Sequence, residues 1–149
     1  MNMKFSLALP REALSIPVIR RVLGDALRGL GVAEDCIADI LIATSEACTN
    51  VIQHAHTPRE FEVLAYVEDE LCLLRISDHG RGLPREPRAA ADALSESGRG
   101  IMLMRELVDK VSFDTRPGRG TAVHLRKKLT WRDEALMPRL DRELVRTAG

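Results

Sequence analysis

Aromatic residues make up only 3% of the 149 residues. That is too few to build the stacking platform on which single-stranded nucleic acid is held. A dominant charge is also missing. The 22 Lys and Arg balance the 22 Asp and Glu, for a formal net charge of +0. No global field therefore draws the chain to nucleic acid or to an anionic membrane. Long apolar runs are absent, and none approaches the ~20 residues of a bilayer-spanning helix. Met1 to Pro10 carries no apolar signal-peptide core. Three cysteines, Cys36, Cys48 and Cys72, stand inside apolar runs without CxxC spacing. Buried thiols in a reducing compartment are expected, and with them a cytoplasmic protein that meets neither membrane nor nucleic acid directly.

What is present suits one domain. A chain of this length buries a substantial core, and 45% hydrophobic content is ordinary for a globular protein. Lys4 to Leu9 alternates, with Phe5, Leu7 and Leu9 on one face, and reads as a strand. Ser15 followed by Pro17 signals a helix start. Ile16, Ile19, Leu23, Leu27 and Leu30 then recur at helical spacing up to Gly31. A second helix is expected from about Glu34 to His54, burying Ile37, Leu41, Thr44, Cys48 and Val51. Two strands follow, near Phe61–Val67 and Leu71–Ser77, around an acidic turn at Glu68 to Glu70. Residues 80–98 hold no long apolar run, and connections of that length often act as lids. Ile101 to Val108 reads as a short helix, and Val111–Thr115 and Thr121–Leu125 as a hairpin. The reading is an α/β, two-layer α+β sandwich with a mixed, mostly antiparallel sheet covered on one face by helices. Residues 1–129 form the domain and 130–149 a charged helical tail.

Three short motifs occur in order: Glu46-Ala-Cys-Thr-Asn50, Asp78-His-Gly80-Arg-Gly82 and Gly98-Arg-Gly100-Ile-Met-Leu-Met104. Glu46, Asn50 and His54 fall at i, i+4 and i+8, nearly one helix face. An amide oxygen suits Mg²⁺, which prefers hard oxygen ligands and keeps several waters. A carboxylate one turn earlier can take a proton from a hydroxyl attacking a γ-phosphate. Taken alone, Glu and Asn at this spacing more commonly mark a solvated helix face. Asp78 ends an apolar strand beside glycines that let backbone approach a ligand, and an acid there can accept from an exocyclic amine. A plain Asp/Gly turn competes evenly with that reading. Gly98 and Gly100 precede a helix whose free N–H groups attract phosphate, although neither the dinucleotide fingerprint nor the P-loop is complete. Arg105, on that helix, is within conceivable reach of a γ-phosphate but is more typical of a surface. His54 and His56 lack the Cys or acidic partners of a metal site. Cys48 lies in an apolar stripe, where no thiolate is activated.

With these motifs and the late Gly120-Thr121, the chain resembles the GHKL (Bergerat-fold) ATP-binding superfamily over about Phe5 to Leu129. Within it, the chain looks most like anti-sigma regulatory factors that are serine/threonine-protein kinases. The resemblance implies ATP on the helix side under a mobile lid, with Asn50 on Mg²⁺ and Glu46 as general base. It implies that Asp78 binds the adenine amine with Thr121 close by. Gly80 and Gly82 would shape the adenine pocket, and Gly98 and Gly100 the phosphate edge. The implied partners are a sigma factor, which is sequestered, and a STAS-domain anti-anti-sigma protein, which is phosphorylated on serine. A homodimer is implied too. No sensor or dimerisation helix precedes the domain and no transducer domain follows, so a free-standing regulator rather than a whole histidine kinase is expected. The Pro-, Arg- and Ala-rich stretch between Gly82 and Gly98 departs from any partner-specific pattern. The competing reading is a nucleotide-responsive module that captures a partner stoichiometrically without kinase activity.

Overall fold

The computed structural model describes residues 2–54, 60–78, 98–116 and 120–132. Five strands, β1 (Asn2–Leu9), β2 (Phe61–Glu68), β3 (Leu71–Asp78), β4 (Lys110–Arg116) and β5 (Gly120–Lys128), form one sheet in the order β1-β2-β3-β5-β4. Helices α1 (Ser15–Leu30), α2 (Glu34–His54) and α3 (residues 98–107) belong with it. The sheet, expected to be mixed and mostly antiparallel, is antiparallel at all four described pairings. β3 and β4 do run the same way, but β5 inserts between them, so no parallel pair forms.

Alternation selects the buried face. Phe61, Val63, Ala65 and Val67 of β2 and Cys72, Leu74 and Ile76 of β3 point under the helices and are buried. Their cross-strand partners Leu9, Leu7, Phe5 and Met3 line the same face of β1. The acidic turn is tight: Asp69 takes φ 52°, a conformation that Asp tolerates better than most residues. On α1, Ile19, Leu23 and Leu27 are buried one turn apart. Gly31 ends the helix at φ 94°, donating its N–H to the Arg28 carbonyl while Val32 N–H reaches Leu27. These two bonds satisfy carbonyls left open by the helix end, in a left-handed conformation that favours glycine. Ser15 starts α1 as expected but does not cap it. Its hydroxyl instead donates to the Pro10 carbonyl at 2.7 Å. On α2, the expected stripe Ile37, Leu41, Thr44, Cys48 and Val51 is buried throughout. Glu34 and Asp35 in its first turn complement the helix dipole.

Beyond β5, Trp131 bridges Val32, and Arg132 N–H donates to the Gly31 carbonyl. The first residues of the expected tail thus pack on the α1–α2 turn. Residues 133–149 lie outside the described residues. No helix among the described residues is long and apolar enough to cross a membrane.

Candidate nucleotide and phosphotransfer site

α2, which carries Glu46 and Asn50, packs on β3 and β5, the strands that carry Asp78 and Thr121. Both Glu46 and Asn50 are half-buried on a helix whose neighbouring Ala47 and Cys48 are fully buried. The apolar stripe therefore holds the polar pair at the edge of the core rather than in open water. The expected third member, His54, is in the last turn of α2, and its side chain lies outside the described residues.

Asp78 is the last residue of β3 and faces the helices, at 4% exposure. Thr121 donates its backbone N–H to Asp78 Oδ1 at 3.4 Å. Gly120, just before it, has φ 89°. A Cβ there would lie 2.3 Å from the Asp78 carbonyl oxygen and 2.6 Å from Oδ1. Only glycine lets β5 start this close to the acid. Gly120 was not among the expected site residues. Its signal is a glycine directly after a hairpin loop and opposite an acid that ends the neighbouring strand. A cleft of about 330 Å³ opens at this end of the sheet, lined by Arg75, Ser77, Asp78, Asp114, Gly120 and Thr121 among others. A larger hollow of about 590 Å³ lies on the uncovered sheet face and includes none of the motif residues, so size alone does not mark the site.

The third motif is placed differently from expectation. Gly98-Arg-Gly100 does not precede α3; it is helical itself and forms the first described turn. That turn lies against α2: a Cβ on Gly100 would be 2.8 Å from Glu46 Oε2, whereas one on Gly98 would meet nothing within 4 Å. The helix is held from below by Lys127, whose Nζ donates to the Leu107 carbonyl at 2.8 Å and lies 3.7 Å from Asp39 of α2. Met104 anchors its buried face. Arg105 is exposed on α3 and forms no hydrogen bond or ion pair among the described residues. Gly80 and Gly82 lie outside the described residues.

The cysteines behave as inert core. All three are buried and free. Burial pushes the Cys48 thiol up to about 12. Cys72 is raised to about 12 as well, by burial first and by neighbouring Cys36 second. No group of three or more His, Cys, Asp or Glu among the described residues is arranged to hold a metal ion. The donors present suit nucleotide and Mg²⁺ instead: an amide oxygen at Asn50, a buried carboxylate at Asp78, and two places, Gly100 and Gly120, where a Cβ would fill the space beside a carboxylate.

A buried acid at a strand end, a polar pair on the covering helix and a glycine-led helix are what an ATP-binding two-layer domain presents. The chain belongs to the histidine kinase-like ATPase domain family, whose model matches residues 9–127. It is 36% identical over 115 residues to a serine-protein kinase RsbW of Bacillus licheniformis, covering 68% of this chain and 72% of that protein. It is 32% identical over 124 residues to the serine-protein kinase RsbW of Bacillus subtilis strain 168, covering 74% and 77%. The fold is similar to a crystal structure of the RsbU and RsbW domains of Rv1364c from Mycobacterium tuberculosis. There the TM-score is 0.69 at 19% identity, over 91% of this chain and 35% of that one.

Proposed function

We propose that this chain is an ATP-dependent protein-serine kinase and anti-sigma factor that sequesters a sigma factor and phosphorylates a STAS-domain antagonist. The observation that carries the site reading is the half-buried Glu46 placed against the glycine-led first turn of α3. The curated relatives that match most of the chain are named serine-protein kinases, which favours kinase activity over stoichiometric capture alone.

In this reading the serine hydroxyl of the partner attacks the γ-phosphorus of ATP. Its O–P bond forms as the bond to the β,γ-bridging oxygen breaks, and the electron pair leaves with ADP. The hydroxyl proton passes to Glu46. Such transfer depends mainly on positioning and charge stabilisation. Asn50 would hold Mg²⁺, which supplies charge neutralisation at the phosphates. Asp78 accepts from the adenine amine beside Thr121, Gly80 and Gly82 shape the adenine pocket, and Gly98 and Gly100 edge the phosphates. Arg105 approaches the γ-phosphate. Residues 1–129 act as the ATP-binding domain, and the tail over 130–149 packs on the domain or adds partner surface. The protein acts in the cytoplasm as a homodimer.

The test incubates the purified protein with Mg-[γ-³²P]ATP and STAS-domain proteins of the same genome. Label is expected on a STAS serine, absent with Asn50→Ala. Glu46→Gln should retain ATP binding and lower transfer by about 10²–10⁴-fold, the usual contribution of a general base. Transfer that survives Glu46→Gln would remove Glu46 from that role. Tight Mg-dependent ATP binding with no label would instead support capture without catalysis.

A further inference from the structure

We propose that Gly100 is a positioning residue for the phosphotransfer, because its missing side chain is the space in which the Glu46 carboxylate rests against α3. The proposal rests on the kinase reading above and deepens it.

The two glycines of the motif are not equivalent. A Cβ on Gly98 would enter open space, but one on Gly100 would stand 2.8 Å from Glu46 Oε2, 3.7 Å from its Cδ and 3.9 Å from its Cβ. The approach thus involves the whole side chain of Glu46, from its root to its carboxylate. Gly100 has no left-handed φ to explain it, since it is part of regular helix. Glycine is a weaker helix former than alanine, and what the missing Cβ leaves at this position is room for the Glu46 carboxylate.

Glu46 is half-buried, and the next residues of its helix, Ala47 and Cys48, are fixed in the core. Opposite is the first turn of α3, whose far end is tied through Lys127 to Asp39 of the same α2. Lys127 thus links the far ends of α2 and α3. An added methyl must displace the carboxylate itself. To reach the 3.4 Å of ordinary contact, Oε2 would retreat by about 0.6 Å. The displaced atom is the end of a flexible side chain, so the variant should fold. Catalysis is less forgiving than folding, because a misplacement of about 1 Å costs on the order of 10²-fold.

The experiment measures Gly100→Ala in the Mg-ATP and STAS-protein assay, with nucleotide affinity from calorimetry and thermal melting as a check on folding. The expected result is a kcat lowered by about 10-fold or more, a larger loss than any accompanying rise in the Kd for Mg-ATP. In a Glu46→Gln background the same Gly100→Ala change should lower kcat little further, because both act through one carboxylate. Wild-type kcat in Gly100→Ala overturns the proposal and leaves the kinase reading intact. Weakened ATP binding in both backgrounds, with losses that multiply, also overturns it and returns Gly100 to the phosphate edge alone. Absence of transfer by the wild-type protein overturns the kinase reading and the proposal with it.

Discussion

Replacing Gly120 with alanine tests the meeting of β3 and β5 at Asp78. Two costs add. A left-handed conformation at φ 89° is unfavourable for an L-residue by about 1–2 kcal/mol. The new methyl would also lie 2.3 Å from the Asp78 carbonyl oxygen and 3.0 Å from its carbonyl carbon, backbone atoms that cannot rotate away. Relief requires the strands to part at the point where Thr121 N–H meets Asp78 Oδ1. Overpacking of this kind costs about 1–3 kcal/mol. The sum is about 2–5 kcal/mol, a large part of a typical stability of about 5–15 kcal/mol. At about 2–4 °C per kcal/mol for a domain of this size, the melting temperature should fall by about 4–20 °C. Calorimetric melting reads this directly, and ATP titration of the folded variant should show weakened binding because Asp78 is displaced. Gly29→Ala is the matched contrast: its Cβ would meet nothing within 4 Å on α1. It should stabilise by about 1 kcal/mol. A Gly120→Ala protein that melts within about 2 °C of wild type would refute the reasoning.

Asp78→Asn should weaken ATP by about 10–150-fold, the loss of a hydrogen bond to a charged acceptor worth about 1.5–3 kcal/mol. Isothermal titration checks it, and unchanged affinity would remove Asp78 from the adenine site. Cys48 and Cys72 make a pH prediction. Their thiols ordinarily ionise near 9.0 and are raised to about 12 in the fold. Below about 9 both states are protonated and the thiols do not affect the balance. Between about 9 and 12 the unfolded chain loses protons that the folded chain keeps, so stability falls as pH rises. Denaturant melts at pH 8 and pH 10 should show a drop that Cys48→Ala/Cys72→Ala reduces. The same burial predicts that iodoacetamide at pH 8 labels these two cysteines only after unfolding.

The strands, α1 and α2 were legible because their signals are local. The alternation of Phe5, Leu7 and Leu9, the turn-spaced Ile19, Leu23 and Leu27, and the closing Gly31 each follow from backbone periodicity and need no distant partner. The order and spacing of the Glu46/Asn50, Asp78 and Gly98/Gly100 motifs likewise pointed to the ATPase domain family whose model matches residues 9–127. The helix expected over 101–108 left out Gly98 and Gly100 because glycine is read as a break, whereas burial of Met104 in the core and the bond from Lys127 to Leu107 support α3 from outside its own sequence. The antiparallel character of the sheet depended on β5 inserting between β3 and β4, a choice of neighbour that no strand records by itself. So did the two close approaches that distinguish this site, Gly100 on Glu46 and Gly120 on Asp78, which join residues 54 and 42 positions apart. Periodicity and capping act over a few bonds and are written along the chain. The absence of a Cβ gains its meaning only when the folded core brings a second carboxylate-bearing element within contact distance.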